Sequence, residues 1–119
     1  MELDDVVKEH GVLCAFVATE DGFVVDAAHD TDIDPEESAA LAATAVMRLK
    51  NVMNRLIGES EEEMEIIAVC GHSLALKEVE GGLIVGLLYD SNEVPTGIVK
   101  LILQELEEEY RGRSVEELL

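Results

Sequence analysis

Three groups of residues in this chain have types and spacings that could do chemistry. In DTDIDPEE, Asp30, Asp32 and Asp34 alternate as the first oxygen ligands of a calcium loop do. Such a loop needs glycine at its sixth position for the sharp turn and a bidentate acid at its twelfth, and here those places hold Pro35 and Leu41. The three aspartates therefore read as a solvated loop leading into a helix cap. Cys70 and His72 are two apart and share one face of an extended strand, with Cys14 as a third soft ligand. The paired Cys-x-x-Cys or His-x-x-x-His spacings of zinc sites do not occur. As nucleophile and base, the same Cys/His pair would need a thiol whose pKa is lowered by nearby positive charge, and this sequence has little to offer. The acidic runs Glu61 to Glu65 and Glu107 to Glu109 read as wet faces rather than cation sites. There is no Gly-x-Gly-x-x-Gly and no phosphate-binding loop ending in Gly-Lys-Ser/Thr. No catalytic residue, cofactor site or metal site is assigned. A ligand-sensing or small enzymatic α/β domain using Cys14, Cys70 and His72 stands as the alternative to the non-enzymatic reading developed below.

The composition narrows the class. The chain has 119 residues, enough for one domain with a real core, placed at residues 1–110, with a tail over 111–119. Its 27 acidic residues against 8 Lys and Arg give a net charge of -19. Nucleic-acid binding needs a basic surface that releases counterions, and anionic membrane surfaces repel the same charge. The acidity fits solubility, including solubility in a salty cytoplasm, or a cationic partner. Met1 to His10 lacks the basic and then apolar order of a signal peptide, and the apolar runs are too short to span a bilayer, so a cytoplasmic protein is expected. Cys14 and Cys70 both lie in apolar strand-like runs, as buried reduced thiols do.

The elements that would position any site follow from periodicity. Leu3, Val6, Val7 and His10 at helical spacing, then Gly11, predict a short first helix. Two strands, Val12 to Thr19 and Phe23 to Ala28, flank Asp21-Gly22, a strong hairpin-turn pair. Asp34 as N-cap, Pro35 at the first helical position, Glu37 to complete a capping box and Gly58 as stop bound one long helix. On it Leu41, Ala45, Leu49, Val52 and Leu56 line up, widened by Ala39, Ala42, Val46, Met53 and Ile57, while Thr44, Arg48, Asn51 and Arg55 are read as gathering opposite. That apolar arc is wider than one sheet face needs, which predicts a second packing partner for the helix. Met64 to Cys70, Ser73 to Val79 and Leu83 to Tyr89 read as three more strands in a meander. A last helix runs from Pro95 to about Tyr110 on the stripe Val99, Ile102, Leu103, Leu106 and Tyr110. Strands apolar at both phases, as in Val12 to Val17, need both faces covered. The expected fold is α/β (α+β), in the order α-β-β-α-β-β-β-α. A five-stranded antiparallel sheet would carry the long helix on one face and the N- and C-terminal helices on the other. Ser114 and Glu117 add a small capping signature in the tail.

This order, with Gly11-Val12, Asp21-Gly22-Phe23-Val24-Val25, the alanine-rich Ala39 to Ala45 and Gly82-Leu83-Ile84-Val85-Gly86-Leu87-Leu88, resembles the Roadblock/dynein light chain family over Leu3 to Tyr110. The resemblance implies a Roadblock/profilin-like fold and a non-enzymatic scaffold. It also implies a homodimer in which the long helices lie side by side and the third strands join edge to edge. Carried onto this sequence, that contact uses Ala39, Ala43, Val46, Met47 and Lys50 from the helix, with Ile67 and Val69 from the strand. Prokaryotic members bind Ras-like small GTPases of the gliding-polarity type, and some stimulate GTP hydrolysis, so a Ras-like small GTPase is the partner implied. Arg48 and Arg55 fit an ordinary polar helix face and are not assigned as arginine fingers. Beyond Arg111 the tail is far shorter than the extension some relatives use on the GTPase.

Overall fold

Cys14 to Ala18 are buried at both strand phases, and this double burial dictates the layers around them. The computed structural model describes residues 2–21, 23–30, 34–58, 63–67 and 71–113; at 35, 38, 39, 42, 43, 46, 47, 50, 57 and 63–67 it describes the main chain alone. The elements are α1 (Leu3–His10), β1 (Cys14–Thr19), β2 (Val24–His29), α2 (Pro35–Ile57), β3 (Glu63–Ile67), β4 (His72–Val79), β5 (Leu83–Asp90) and α3 (Thr96–Tyr110). All pairings are antiparallel, in the order β2-β1-β5-β4-β3. Four of these strands carry described side chains, and β3 is placed by its backbone at the outer edge of β4.

Several boundaries differ from those expected, each for a local reason. The first strand begins at Cys14 instead of Val12, although Leu13 N–H still donates to Leu88 O at 2.8 Å and extends the contact. The second begins at Val24 and ends at His29, because a bulge between Val17 and Ala18 absorbs Val25 and shifts the pairing. Phe23, expected to open that strand, lies in the turn. Its N–H donates to Thr19 Oγ1 and its carbonyl accepts from Thr19 N–H. Pro95 stands outside α3 as its N-cap, in extended conformation. Of the expected third strand, residues 68–70 lie outside the described residues, as do Gly22, Asp32 and the Ser114 to Glu117 cap.

The two faces of β1 belong to two clusters. Ala15 and Val17 join Val85, Leu87 and Tyr89 of β5 with Leu3, Val6 and Val7 of α1 and Val99, Ile102, Leu103, Leu106 and Tyr110 of α3. The expected α3 stripe is thus buried in full. Each such side chain contributes about 1.5–3 kcal/mol by leaving water. Cys14, Phe16 and Ala18 form the other cluster with Leu76 and Ile84, and Val24, Ala27, Leu74 and Leu88 pack partly buried against it. Helix α2 runs over β1 and β2 and reaches β5. The end of α3 is held by Tyr110, whose hydroxyl donates to Asp26 Oδ2 of β2 at 2.9 Å. Burial first, and then this bond, raise the phenol pKa well above its ordinary range.

One close approach depends on the absence of a side chain. Gly86 pairs with Phe16, and a Cβ built there would sit 2.2 Å from Phe16 Cζ. The ring therefore lies over the bare backbone of β5. Gly86→Ala should lower stability by about 2 kcal/mol or more, since overpacking forces the ring off its rotamer. Thermal denaturation measures this, and adding Phe16→Leu to Gly86→Ala should recover part of the loss. An unchanged melting temperature in Gly86→Ala would show that the ring is not held there.

Candidate functional site

Helix α2 presents the most unusual surface among the described residues. Its ends are well fixed. Asp34 is extended and its Oδ1 accepts from Glu36 N–H at 2.9 Å, and Gly58 closes the helix at φ 73, a left-handed conformation that favours glycine. Between them the helical phase puts Leu41, Ala45, Leu49, Val52 and Leu56 on one line. Leu41 is 64% exposed, Val52 48%, Leu56 73% and Leu49 38%, with Ala45 half-buried between them. Exposed apolar residues scattered singly need no explanation, but four along one helix line form a continuous stripe. The sequence places this line at the centre of the apolar arc, where burial by the helix's own sheet would be expected. The structure turns it towards water instead.

Beside the stripe, Thr44, Arg48, Asn51 and Arg55 are exposed, and Thr44 Oγ1 donates back to Ala40 O at 3.0 Å. Arg48 and Arg55 make no ion pair among the described residues, in a chain of net charge -19. Lys77 and Arg111, by contrast, both bind Glu107. Lys77 Nζ stands 2.9 Å from Glu107 Oε2, and these bonds, that from Lys77 foremost, lower the Glu107 pKa. Glu107 is thus engaged by cations of its own chain, as is Glu109 by Arg113.

Of the contact residues named from the resemblance, Ala39, Ala43, Val46, Met47 and Lys50 sit in α2 and Ile67 in β3, but their side chains lie outside the described residues, as does Val69 altogether. What the backbone does place is β3 at the end of the strand order, paired among the described residues with β4. The stripe Leu41, Leu49, Val52 and Leu56 carries its own sequence signal, the excess width of the apolar arc, but periodicity alone does not say which side of so wide an arc meets the sheet.

The thiol and histidine candidates do not assemble. Cys14 pairs with Leu88, which pairs with Leu74, so β5 stands between Cys14 and the strand of His72. Two strand spacings are about 10 Å, beyond hydrogen-bond reach. Burial pushes the Cys14 pKa from 9.0 to about 11, the opposite of an activated thiol. Cys70 lies outside the described residues. Asp34 is committed to the helix cap, and among the described residues no three His, Cys, Asp or Glu side chains stand together as metal ligands do. Nor is any described helix long and apolar enough to cross a membrane.

No protein-family model and no curated protein matches the chain. Solved structures do match in shape. MglB of Myxococcus xanthus superposes with a TM-score of 0.76 at 22% identity, over 90% of this chain and 86% of that one. A Roadblock/LC7 domain from Streptomyces avermitilis gives 0.77 at 16% identity, over 92% and 95%. The gliding protein MglB from Thermus thermophilus gives 0.74 at 22% identity, over 97% and 86%. The fold is of Roadblock type.

The buried thiol yields a test of the enzymatic alternative. In a Cys70→Ser variant, leaving Cys14 as the one thiol, native protein should resist maleimide at neutral pH and react only once unfolded. The folded pKa lies above the unfolded one, so keeping the thiol protonated stabilises the fold below pH 9.0, and that contribution is lost as pH rises towards about 11. Alkaline melting curves should show this decline. Fast labelling of native protein at neutral pH would revive a reactive Cys14.

Proposed function

We propose that this Roadblock-type chain is a non-enzymatic homodimeric module that binds a Ras-like small GTPase as its regulator or scaffold. The observation that carries the reading is the exposed stripe of Leu41, Leu49, Val52 and Leu56 along α2. Nothing in a small acidic chain needs such a stripe in water, whereas a second copy would bury it and gain about 25 cal/mol for each Å² of apolar surface removed. The outer edge of β3, unpaired among the described residues, supports the same reading, since an edge strand is stabilised and protected by a partner strand. Ile67 and Val69 are the proposed contributors there. Ala39, Ala43, Val46, Met47 and Lys50, on another side of α2, are the contact set implied by the family resemblance. The GTPase assignment rests on that resemblance and on the likeness in shape to two MglB chains.

Two measurements test it. Sedimentation equilibrium at micromolar concentration should give a dimer in low and in high salt. Leu49→Asp should dissolve it, with the affinity falling at least tenfold, because a charge buried in an apolar seam is left unpaired. Ala43→Asp probes the other side of the helix; if it alone dissolves the dimer, the seam lies there and not on the stripe. For the partner, immobilised protein should retain a small GTPase from lysate of the source organism in one nucleotide state, with GTP analogue or with GDP. Retention of no GTPase in either state would remove that half of the proposal.

A further inference from the structure

We infer that the end of α3, with residues 111–113 behind it, is a strap fastened across the sheet against electrostatic repulsion, so that salt closes it and dilution opens it. Its fastenings are few and specific. The Tyr110 hydroxyl donates to Asp26 Oδ2 of β2 at 2.9 Å, and the Arg113 guanidinium lies 5.6 Å from the centre of the Tyr110 ring. Lys77 Nζ of β4 meets Glu107 Oε2 at 2.9 Å, and Gly112 N–H donates to Glu80 O, in the turn after β4, at 3.3 Å. The chain passes so near that turn that a Cβ on Gly81 would stand 3.1 Å from Arg113 O. Beneath the strap Leu106 and Tyr110 are buried.

What opposes closure is charge. Glu105, Glu107, Glu108 and Glu109 crowd into the end of α3, where the helix dipole is itself negative and no basic residue lies in the last turn. Glu105 and Glu108 are exposed, make no ion pair among the described residues, and are neighbours on the helix surface at three-residue spacing. Glu20, Glu78 and Glu80 line, together with Glu107 and Arg111, a cavity of about 500 Å³ beside them. Against these seven carboxylates stand three cations, Lys77, Arg111 and Arg113. Salt acts on the two sides unequally. The Lys77 and Glu107 side chains are only 13% and 18% exposed, so mobile ions screen that pair little, whereas they reach the exposed carboxylates freely. The screening distance falls from about 30 Å at 0.01 M to about 3 Å at 1 M, so added salt removes more repulsion than attraction. In dilute salt the strap lifts, Asp26 of β2 loses its partner, and Leu106 and Tyr110 are uncovered.

The test is amide hydrogen exchange on the full chain, read by mass spectrometry at neutral pH in dilute and in concentrated sodium chloride. Amides of residues 106–113 should exchange at least about fivefold faster near ~20 mM than near ~2 M salt, while those of 98–103 in the same helix change by less than about twofold. Replacing both exposed acids, Glu105→Gln with Glu108→Gln, should bring the dilute-salt rate of 106–113 close to the concentrated-salt rate. Tyr110→Phe removes one fastening and should speed exchange of the same residues in both salts. Equal acceleration along all of α3 would mean that the whole fold answers to salt. No acceleration at 106–113, or a double variant as sensitive to salt as the wild type, would mean that repulsion does not open the strap. Each of these three results overturns the proposal.

Discussion

A sheet that is apolar on both faces has to be covered twice, and the rest of this molecule is arranged to meet that demand. Strands β1 and β5 impose it, because their side chains are buried at both phases. On one side two amphipathic helices share the task, α1 with Leu3, Val6 and Val7 and α3 with its five-residue stripe. On the other, the Phe16 ring occupies the space a side chain at Gly86 would need. Deleting the side chain at one position of β5 is what makes room for the largest side chain of β1.

The long helix answers the demand only in part. It runs over β1 and β2 and reaches β5, while Leu74 of β4 and Leu88 of β5 remain partly open on the same face. An apolar line along α2 and a partly open apolar sheet face are complementary deficits. A surface that left both in water would invite non-specific association, which a chain of charge -19 also resists through repulsion at a distance. Long-range repulsion combined with short-range apolar contact favours association that is geometrically exact over association that is merely sticky. The segregation of Arg48 and Arg55 to α2, when most other described cations are engaged by neighbouring acids, points the same way.

Much of this was legible in the sequence, and what was not has physical reasons. The order of elements follows from turn residues and periodicity, and α2 is bounded by Asp34 and Gly58 as its capping residues require. The bulge that absorbs Val25 leaves no trace in alternation, because Val24 and Val25 are both apolar and either could stand opposite Ala18. The same lack of contrast hides the orientation of α2. Leu41 and Leu56 are indistinguishable by hydrophobicity from side chains that reach the sheet, and only the three-dimensional position of the helix separates the buried side of the arc from the wet one. Cys14 and His72 illustrate the converse. Residue types suited to catalysis are far apart because the register of two intervening ladders, not their spacing in sequence, sets the distance.

The hydrogen bond from Tyr110 to Asp26 has a consequence for how this sheet can grow. Asp26 sits on β2, the strand opposite β3 in the order of the sheet, next to the bulge and pinned by a side chain from α3. A kinked outer strand bearing a tethered carboxylate is a poor template for another chain. Among the described residues that leaves the outer edge of β3 as the border open to another strand, and a two-fold pairing there would use it up. The blunted border at β2 would then keep such a pairwise assembly from growing into a fibre.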